Sequence, residues 1–213
     1  MPVESPKNKT SAGTRDAEAT KARILDAAEE EFARAGLLGA RTEAIAANTG
    51  VTKAMLYYYY GDKEGLYQAV LERCMARRIA SLQKVDFHGA EPEEALRQFV
   101  TAVLDEQGRN QHLPAIFFYE GLQNKGKYYS QIGIASLYGP LQSIIERGMA
   151  SGKFKPVDAL HASVNIIGIC AFYYCSMENV KHLWPGGTDL SSDEMREQHK
   201  RTAIQQIFGG LLA

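Results

Sequence analysis

The chain has 213 residues, of which 45% are hydrophobic, so it can bury the core of one compact unit or of two small domains. Its formal net charge is −1, which excludes a strongly basic protein that binds nucleic acid through its overall charge. The three cysteines lack paired spacing, and no apolar signal core begins the chain. We therefore expect a soluble, reduced, cytoplasmic protein without a metal or another cofactor.

The N-terminal segment, residues 1–17, is rich in Lys, Ser, Thr, Pro and Gly, and this composition predicts a disordered arm. Its basic residues Lys7, Lys9 and Arg15 could reach a DNA minor groove, although a solvated tail is the simpler interpretation. A first helix is predicted over residues 18–35, because apolar side chains recur there at helical spacing.

A helix-turn-helix is predicted between residues 42 and 61. Thr42 can N-cap a short helix, and Gly50 can adopt the positive φ that ends it. Thr52 can then cap a second helix, which Gly61 ends. Two short helices joined by a tight Gly-containing turn match the motif whose second helix enters the major groove. Lys63 falls in the first turn of the helix that follows.

Four consecutive tyrosines, residues 57–60, dominate the second of these helices. Successive side chains on a helix point about 100° apart, so one short helix cannot bury all four rings. The i,i+4 spacing assigns Leu56 and Tyr60 to the buried side. The opposite face carries a cation, small residues and hydroxyl groups that suit a DNA groove, with the last two residues at its border: Lys53, Ala54, Tyr57, Tyr58, Met55 and Tyr59.

The remainder of the chain also has helical periodicity and no convincing strand pattern, so the predicted fold class is all-α with about nine helices. Helix starts are indicated by Pro92, Pro140 and Asp158, and by a capping box at Ser191 and Glu194. The predicted helices after the helix-turn-helix occupy residues 62–84, 92–108, a segment around 116–122, 140–151, 158–182 and a final stretch after 191.

The predicted helix over residues 158–182 is apolar nearly all round. A helix without a polar face must be covered on all sides, and one domain of this size covers it only partly. A second subunit is the expected cover. The longest apolar stretch, residues 160–177, is interrupted by His161, Ser163 and Asn165, so we do not expect it to span a membrane.

Residues 20–71 resemble the N-terminal domain of TetR/AcrR-type transcriptional regulators. The resemblance implies a DNA-binding domain over residues 18–66 and a ligand-binding and dimerisation domain over 67–213. It also implies a homodimer through the last two long helices, a near-palindromic double-stranded DNA operator, and a repressor released by a small-molecule effector. The matching runs occur in family order at residues 20–36, 42–46, 50–53, 56–60 and 63–66.

The resemblance also implies roles for individual residues. Ala54, Met55 and Tyr59 match positions near base edges, and Thr52 completes the set at the helix start. Ala54 stands where the family usually has Gly, and Tyr60 stands where it usually has Phe, which adds a hydroxyl that needs a partner. The positions that match contacts to the DNA backbone are Thr42, Lys53, Tyr57, Tyr58 and Lys63.

A ligand pocket is implied by the family, although plain core is the simpler interpretation of each candidate residue. Glu120 and Asn165 are the polar exceptions in apolar stretches, and we expect Asn165 to orient the ligand. Apolar walls with few charges favour a small hydrophobic or aromatic effector. The candidates are Phe99, Val103, Phe117, Phe118, Glu120, Tyr138, Asn165, Ile169, Phe172 and Tyr173.

Two other functions stay open at this point. Oxidation of Cys74, Cys170 or Cys175 could make the protein a redox sensor, although buried structural thiols are the simpler interpretation. A helical dimerisation module without DNA binding is the second alternative. An enzyme is not expected, because the sequence has no Gly-rich phosphate loop, nucleophile elbow or metal-ligand spacing.

Overall fold

The computed structural model describes the backbone of residues 10–213 and the side chains of residues 15–213. Within these residues the chain forms nine α-helices, two single turns of 3₁₀ helix and no β-strand, which confirms the expected all-α class. The α-helices are α1 (Thr10–Gly39), α2 (Thr42–Thr49), α3 (Lys53–Tyr60), α4 (Lys63–Leu82), α5 (Pro92–Arg109), α6 (His112–Asn124), α7 (Ala135–Ala150), α8 (Ala159–Val180) and α9 (Asp193–Leu211).

The chain divides into two compact units, the first ending at Val70 and the second beginning at Leu71. This division lies inside α4, as does the domain boundary predicted after residue 66, so one continuous helix contributes residues to both units. Residues 1–9 of the predicted disordered arm, including Lys7 and Lys9, lie outside the described residues. Residues 10–17, including the exposed Arg15, belong to α1, so the first helix begins earlier than expected.

The first unit is organised around the apolar stripe of α1. Ile24, Ala28 and Phe32 are fully buried, and the Phe32 ring meets Tyr67 edge-on at a centroid distance of 4.9 Å. Gly36 interrupts the helix with a φ of 65° and a ψ of −178°, directly after the predicted end of the first helix at residue 35. The stripe thus supplies the core on which the two short helices pack.

The second unit has a continuous core made by α5, α7, α8 and α9. Helix α5 begins at Pro92, as predicted. Proline is favourable in the first turn of a helix, because the N–H group that it lacks would have no partner within the helix there. Phe99 and Val103 of this helix are fully buried, and so are Ile144 of α7 and Cys170 of α8. The core therefore includes Phe99 and Val103, two of the candidates for the ligand pocket.

Two predicted helix starts are wrong. Pro140 lies inside α7, because the helix starts earlier than predicted. The Ser136 amide already donates to the Gly133 carbonyl, and the Leu137 amide donates to the Ile134 carbonyl. In the last helix the N-cap is Ser192, whose hydroxyl accepts from the Met195 amide at 3.4 Å.

The predicted cap, Ser191, is occupied elsewhere. Its amide and hydroxyl both donate to the Asp189 carboxylate, at 2.8 and 2.6 Å. Since this carboxylate already holds both donors of Ser191, the helix begins one residue later. The predicted partner of the capping box, Glu194, is then in the first turn of α9 without that role.

Helix α8 begins as predicted at Asp158, whose carboxylate accepts from the His161 amide at 2.7 Å. Residues Ala159–Leu183 are long and apolar enough to cross a membrane by length and composition alone, a property that core helices of soluble proteins can share. Ser163, Ile166 and Cys170 of α8 are nevertheless buried against the rest of the second unit, as in a core helix of a globular domain.

Candidate nucleic-acid interface and ligand cavity

Three residues with local effects set the end of α2 and the two ends of α3. Gly50 ends α2 in the left-handed region with a φ of 69°, and Gly61 ends α3 with a φ of 81°. The hydroxyl of Thr52 accepts from the Met55 amide at 3.3 Å and caps α3. All three features confirm the predicted helix-turn-helix.

Thr42 does not cap α2, which corrects that prediction. The N-cap is Arg41, whose extended backbone donates its N–H to the carboxylate of Glu31 at 2.9 Å. Thr42 is the first residue of the helix and is buried, and its hydroxyl shares a hydrogen bond of 3.3 Å with the hydroxyl of Tyr57. Thr42 therefore connects α2 to α3 and positions a residue of the exposed face.

The exposure of α3 follows the predicted helical phase with one correction. Leu56 is buried, while Tyr58 is 83% exposed and Met55 and Tyr57 are each 38% exposed. Tyr60 was expected to be buried, but it is only half-buried, because its hydroxyl reaches the edge of α1 and donates to the Lys21 carbonyl at 3.3 Å. The extra hydroxyl at this position thus has a partner.

Lys53 lies on the exposed face but is already engaged. Its Nζ is 2.5 Å from the Glu43 carboxylate of α2 and 5.6 Å from the centroid of the Tyr57 ring. The hydrogen bond between the two side chains raises the pKa of Lys53 and lowers the pKa of Glu43. A DNA phosphate that binds Lys53 must therefore compete with Glu43 for the same ammonium group.

Lys63 has a structural role that the sequence did not reveal. Its Nζ donates to the carbonyls of Ala40 at 3.2 Å and Leu38 at 3.4 Å, which ties the start of α4 to the end of α1. These carbonyls follow the kink at Gly36 and belong to the end of a helix, where a cation is favourable. Lys63 consequently holds the helix-turn-helix in place as well as carrying positive charge.

Two further cations near this face were missed by the sequence analysis. Lys21 pairs with Glu18 at 2.9 Å, and its Nζ lies 5.8 Å from the centroid of the Tyr59 ring. Arg41 is exposed and directly precedes Thr42. Arg41 could have been found from its position beside the predicted helix start, whereas the approach of Lys21 to Tyr59 depends on the tertiary fold.

Replacing Glu43 with glutamine is expected to strengthen binding to any DNA duplex at low salt by about two- to fivefold, because Lys53 loses its competing carboxylate. Lys53→Ala should weaken binding to all sequences and lower the slope of log affinity against log salt by about one. Fluorescence anisotropy across a salt series measures both effects. Glu178→Gln, which breaks the exposed ion pair with Lys181, is the matched control and should change neither quantity.

An unchanged salt slope for Lys53→Ala would contradict the assignment of this side chain to a phosphate. An unchanged affinity for Glu43→Gln, together with a reduced slope for Lys53→Ala, would show instead that Glu43 does not compete with DNA.

The predicted pocket residues are not brought together at one site. Three of them, Phe117, Phe118 and Tyr138, line a cavity of about 210 Å³ inside the second unit. Helices α4 to α8 all contribute to it. The other lining residues are Met75, Arg78, Gln107, Pro114, Tyr129, Ile134, Leu137, Ile167, Ala171 and Cys175.

The two polar candidates are elsewhere, which corrects the expectation for Asn165. Asn165 is exposed on α8 and does not line the cavity. Glu120 is fully buried but has a structural role, since its carboxylate accepts from the Tyr128 amide at 2.8 Å and from Asn124 Nδ2 at 2.6 Å. An apolar helix such as α8 does not show by its sequence which polar residue faces inward.

Three more candidates, Ile169, Phe172 and Tyr173, line a separate open groove of about 610 Å³ along α8, together with Trp184. Phe172 is 65% exposed, and the Tyr173 ring stacks on His199 of α9 at a centroid distance of 4.2 Å. Leu160 and Val164, on the preceding turns of α8, are also half or more exposed. This apolar surface is the part of α8 that the second unit leaves uncovered.

The cavity contains two polar residues that the sequence analysis missed. Arg78 of α4 and Gln107 of α5 are each 2% exposed, and the Nε of Arg78 and the Oε1 of Gln107 have no hydrogen-bond partner among the described residues. Burial lowers the pKa of Arg78, against the opposing effect of nearby groups that include Glu106. Arg78 follows Leu71 and Cys74 at helical spacing. Its position on this apolar stripe was the sequence feature that could have predicted its burial.

The cysteines lie in surroundings that suppress their reactivity. Cys74 and Cys170 are buried, and Cys175 is half-buried at the cavity wall. Burial raises the pKa of Cys170 to about 12 and that of Cys175 to about 11. These surroundings favour structural thiols over a redox sensor.

At pH 7 the thiolate fraction of Cys175 should be about 10⁻⁴, so we expect the native protein to react slowly with Ellman's reagent. All three thiols should react rapidly once the protein is unfolded in guanidinium, which provides the control. A thiol that titrates within seconds in the native protein, or DNA release on adding peroxide, would instead support redox sensing.

Comparison with known proteins decides the family. The model of bacterial regulatory proteins of the tetR family matches residues 24–70, and that of the tetracyclin repressor-like C-terminal domain matches residues 92–207. The chain belongs to the TetR family. It is a DNA-binding transcription regulator of this family, and α2 and α3 are its helix-turn-helix. Among the described residues, no group of three or more His, Cys, Asp or Glu side chains could hold a metal ion.

Two curated relatives of this TetR-family chain align with most of its length. The HTH-type transcriptional repressor NicS of Pseudomonas putida is 32% identical over 170 residues, which are 78% of this chain and 80% of NicS. The HTH-type transcriptional repressor SCO4008 of Streptomyces coelicolor is 30% identical over 199 residues, covering 89% of this chain and 95% of the relative.

Solved structures share the fold at lower identity. The ketosteroid transcriptional regulator KstR2 of Mycobacterium tuberculosis has a TM-score of 0.72 at 18% identity, covering 91% of this chain and 95% of KstR2. The hemolysin II transcriptional regulator HlyIIR has a TM-score of 0.69 at 22% identity, covering 92% of this chain and 98% of HlyIIR.

Proposed function

We propose that this TetR-family regulator is a cytoplasmic, homodimeric repressor that binds a near-palindromic operator and is released by a small hydrophobic or aromatic effector. The observation that carries the DNA-binding part is the exposed face of α3, which presents Lys53, Tyr57 and Tyr58 beside one another. The names of the relatives NicS and SCO4008, both transcriptional repressors, support repression.

The proposed DNA contacts divide by chemistry. Lys53, Tyr57 and Tyr58 offer an ammonium group and hydroxyls to phosphates, and the small Ala54 permits close approach to the duplex. Met55 and Tyr59 face base edges and set sequence preference. Thr42, Thr52 and Lys63 complete the proposed set, and their hydrogen bonds also hold α2, α3 and α4 in place.

The exposed apolar surface of α8 supports the homodimer. Leu160, Val164 and Phe172 are at least half exposed in the single chain, and soluble proteins rarely leave a contiguous apolar surface of this kind uncovered. A second copy pairing α8 and α9 with their mates would bury it in an isologous interface. Two recognition helices would then read two half-sites of one operator.

The cavity in the second unit supports control by an effector. Effector binding lowers operator affinity only if the effector binds the DNA-free state more tightly than the DNA-bound state. Helix α4 supplies Met75 and Arg78 to the cavity wall and begins at Lys63 of the DNA-binding unit. A shift of this helix on binding would change the spacing of the two recognition helices.

A genome-wide binding map followed by anisotropy on the recovered sites tests the proposal. We expect a near-palindromic site, one dimer bound per site, and a strong decrease of affinity with salt. Sedimentation at micromolar protein should give a dimer. A monomer would contradict the proposed dimer. Binding sites without two-fold symmetry would contradict the binding of two half-sites by one dimer. Failure to bind any duplex would leave the helical dimerisation module as the function.

A further inference from the structure

The cavity in the second unit buries two polar atoms that nothing in the described chain satisfies. The Nε of Arg78 is a donor without a partner, and the Oε1 of Gln107 is an acceptor without one. Both side chains are 2% exposed and line the same cavity from α4 and α5. Buried polar groups are almost always paired in native proteins, so the two atoms indicate a missing partner that carries an acceptor and a donor.

The missing partner of Arg78 must also balance the positive charge of the guanidinium group. A guanidinium group stays protonated even when it is buried, and an isolated buried charge is costly unless it is paired. Glu106 favours the charged form of Arg78, but its carboxylate forms its ion pair with Arg109, at 3.6 Å. A ligand carboxylate would complete the pairing, because its two oxygens fit the guanidinium fork in a bidentate arrangement.

The walls indicate the rest of the ligand. The Phe117 and Tyr129 rings meet edge-on at 5.2 Å, and Pro114, Ile167 and Ala171 add apolar surface. The volume is about 210 Å³. An apolar cavity of about 150 Å³ accommodates a benzene ring. The space therefore suits one aromatic ring with one or two small polar substituents.

We infer that the effector is a single-ring aromatic carboxylate, with its carboxylate on Arg78 and a hydroxyl or N–H donor on Gln107. The inference rests on the proposed function, because it names the chemical class of the molecule that the cavity receives. It also replaces one expectation from the sequence, because Arg78 and Gln107 orient the ligand in place of Asn165.

Titration calorimetry on the full chain tests the class directly. The probes are the 2-, 3- and 4-hydroxybenzoates, benzoate, and the corresponding neutral hydroxybenzamides. At least one hydroxybenzoate should bind about 10- to 100-fold more tightly than its amide, as expected for a charge-assisted bond to a buried cation. The same hydroxybenzoate should bind more tightly than benzoate, because only the hydroxyl can donate to Gln107.

Two substitutions assign the polar groups. Arg78→Met should weaken the hydroxybenzoate about 10- to 100-fold and should not lower the melting temperature of the ligand-free protein, since Arg78 Nε has no partner there to lose. Arg77→Met, one residue earlier on α4 and outside the cavity lining, removes the same charge and should leave binding unchanged. Gln107→Leu should abolish the preference for hydroxybenzoate over benzoate.

Equal affinity for acids and amides, no binding by any probe, or undiminished acid binding by Arg78→Met would overturn the inference. If Arg78→Met does not fold, the acid-to-amide ratio of the natural protein decides. Operator release is measured separately by anisotropy. An acid that binds through Arg78 without releasing DNA contradicts the proposed effector control alone, whereas release by neutral aromatic compounds alone contradicts only the carboxylate.

Discussion

Replacing Phe172 with glutamate is expected to convert the proposed homodimer into monomers and to lower operator affinity by at least about 100-fold. Phe172 is 65% exposed in the single chain and lines the apolar groove on α8. A two-fold interface would bury two unpaired carboxylates in this surface, and desolvating them opposes association strongly. Sedimentation and anisotropy measure the two effects on the same sample.

Leu122→Glu is the matched control, because Leu122 is 66% exposed in the same unit but lies on α6. It should leave both association and operator binding unchanged. A Phe172→Glu variant that remains a dimer with full operator affinity would show that α8 is not the subunit interface.

Gly65→Ala is expected to destabilise the first unit by about 2–3 kcal/mol, because the added atom has no room. A Cβ at Gly65 would lie 2.2 Å from the backbone carbonyl oxygen of Tyr60, so the turn between α3 and α4 would have to move. That turn sets the end of the recognition helix, and operator affinity should fall at least about tenfold in parallel. Denaturant unfolding and anisotropy measure the two losses.

Gly121→Ala is the control for the same chemical change. Gly121 is a helical residue of α6 with nothing within 4 Å of an added Cβ, so alanine should raise stability by up to about 1 kcal/mol. A Gly65→Ala protein with unchanged stability and full operator affinity would mean that the α3–α4 turn tolerates displacement without consequence for DNA binding.

Local chemistry made the helix-turn-helix predictable. Gly50, Thr52 and Gly61 act through their own backbone or a residue one turn away, and such effects can be read from adjacent residues. The cap at Thr42 was wrong because Glu31, on another helix, binds the Arg41 amide. The predicted role of Lys63 was incomplete because its carbonyl partners also belong to another part of the chain, the end of α1.

The ligand cavity was only partly predictable, because helical periodicity identifies apolar faces but not what they face. Phe99 and Phe117 look alike in sequence, yet the first is core and the second lines the cavity. Asn165 interrupts an apolar helix on its exposed side. Arg78 would ordinarily be assigned to solvent, and its burial follows from several helices packing around α4.

The groove on α8 has a spectroscopic consequence. Trp184 is the single tryptophan of the chain, and it lies at this groove beside Leu183, which is 80% exposed. A subunit that covers the groove would remove water from the indole and shift its fluorescence to shorter wavelength. The four tyrosines of α3 lie in the other unit, so tryptophan emission can report assembly separately from DNA binding without any attached dye.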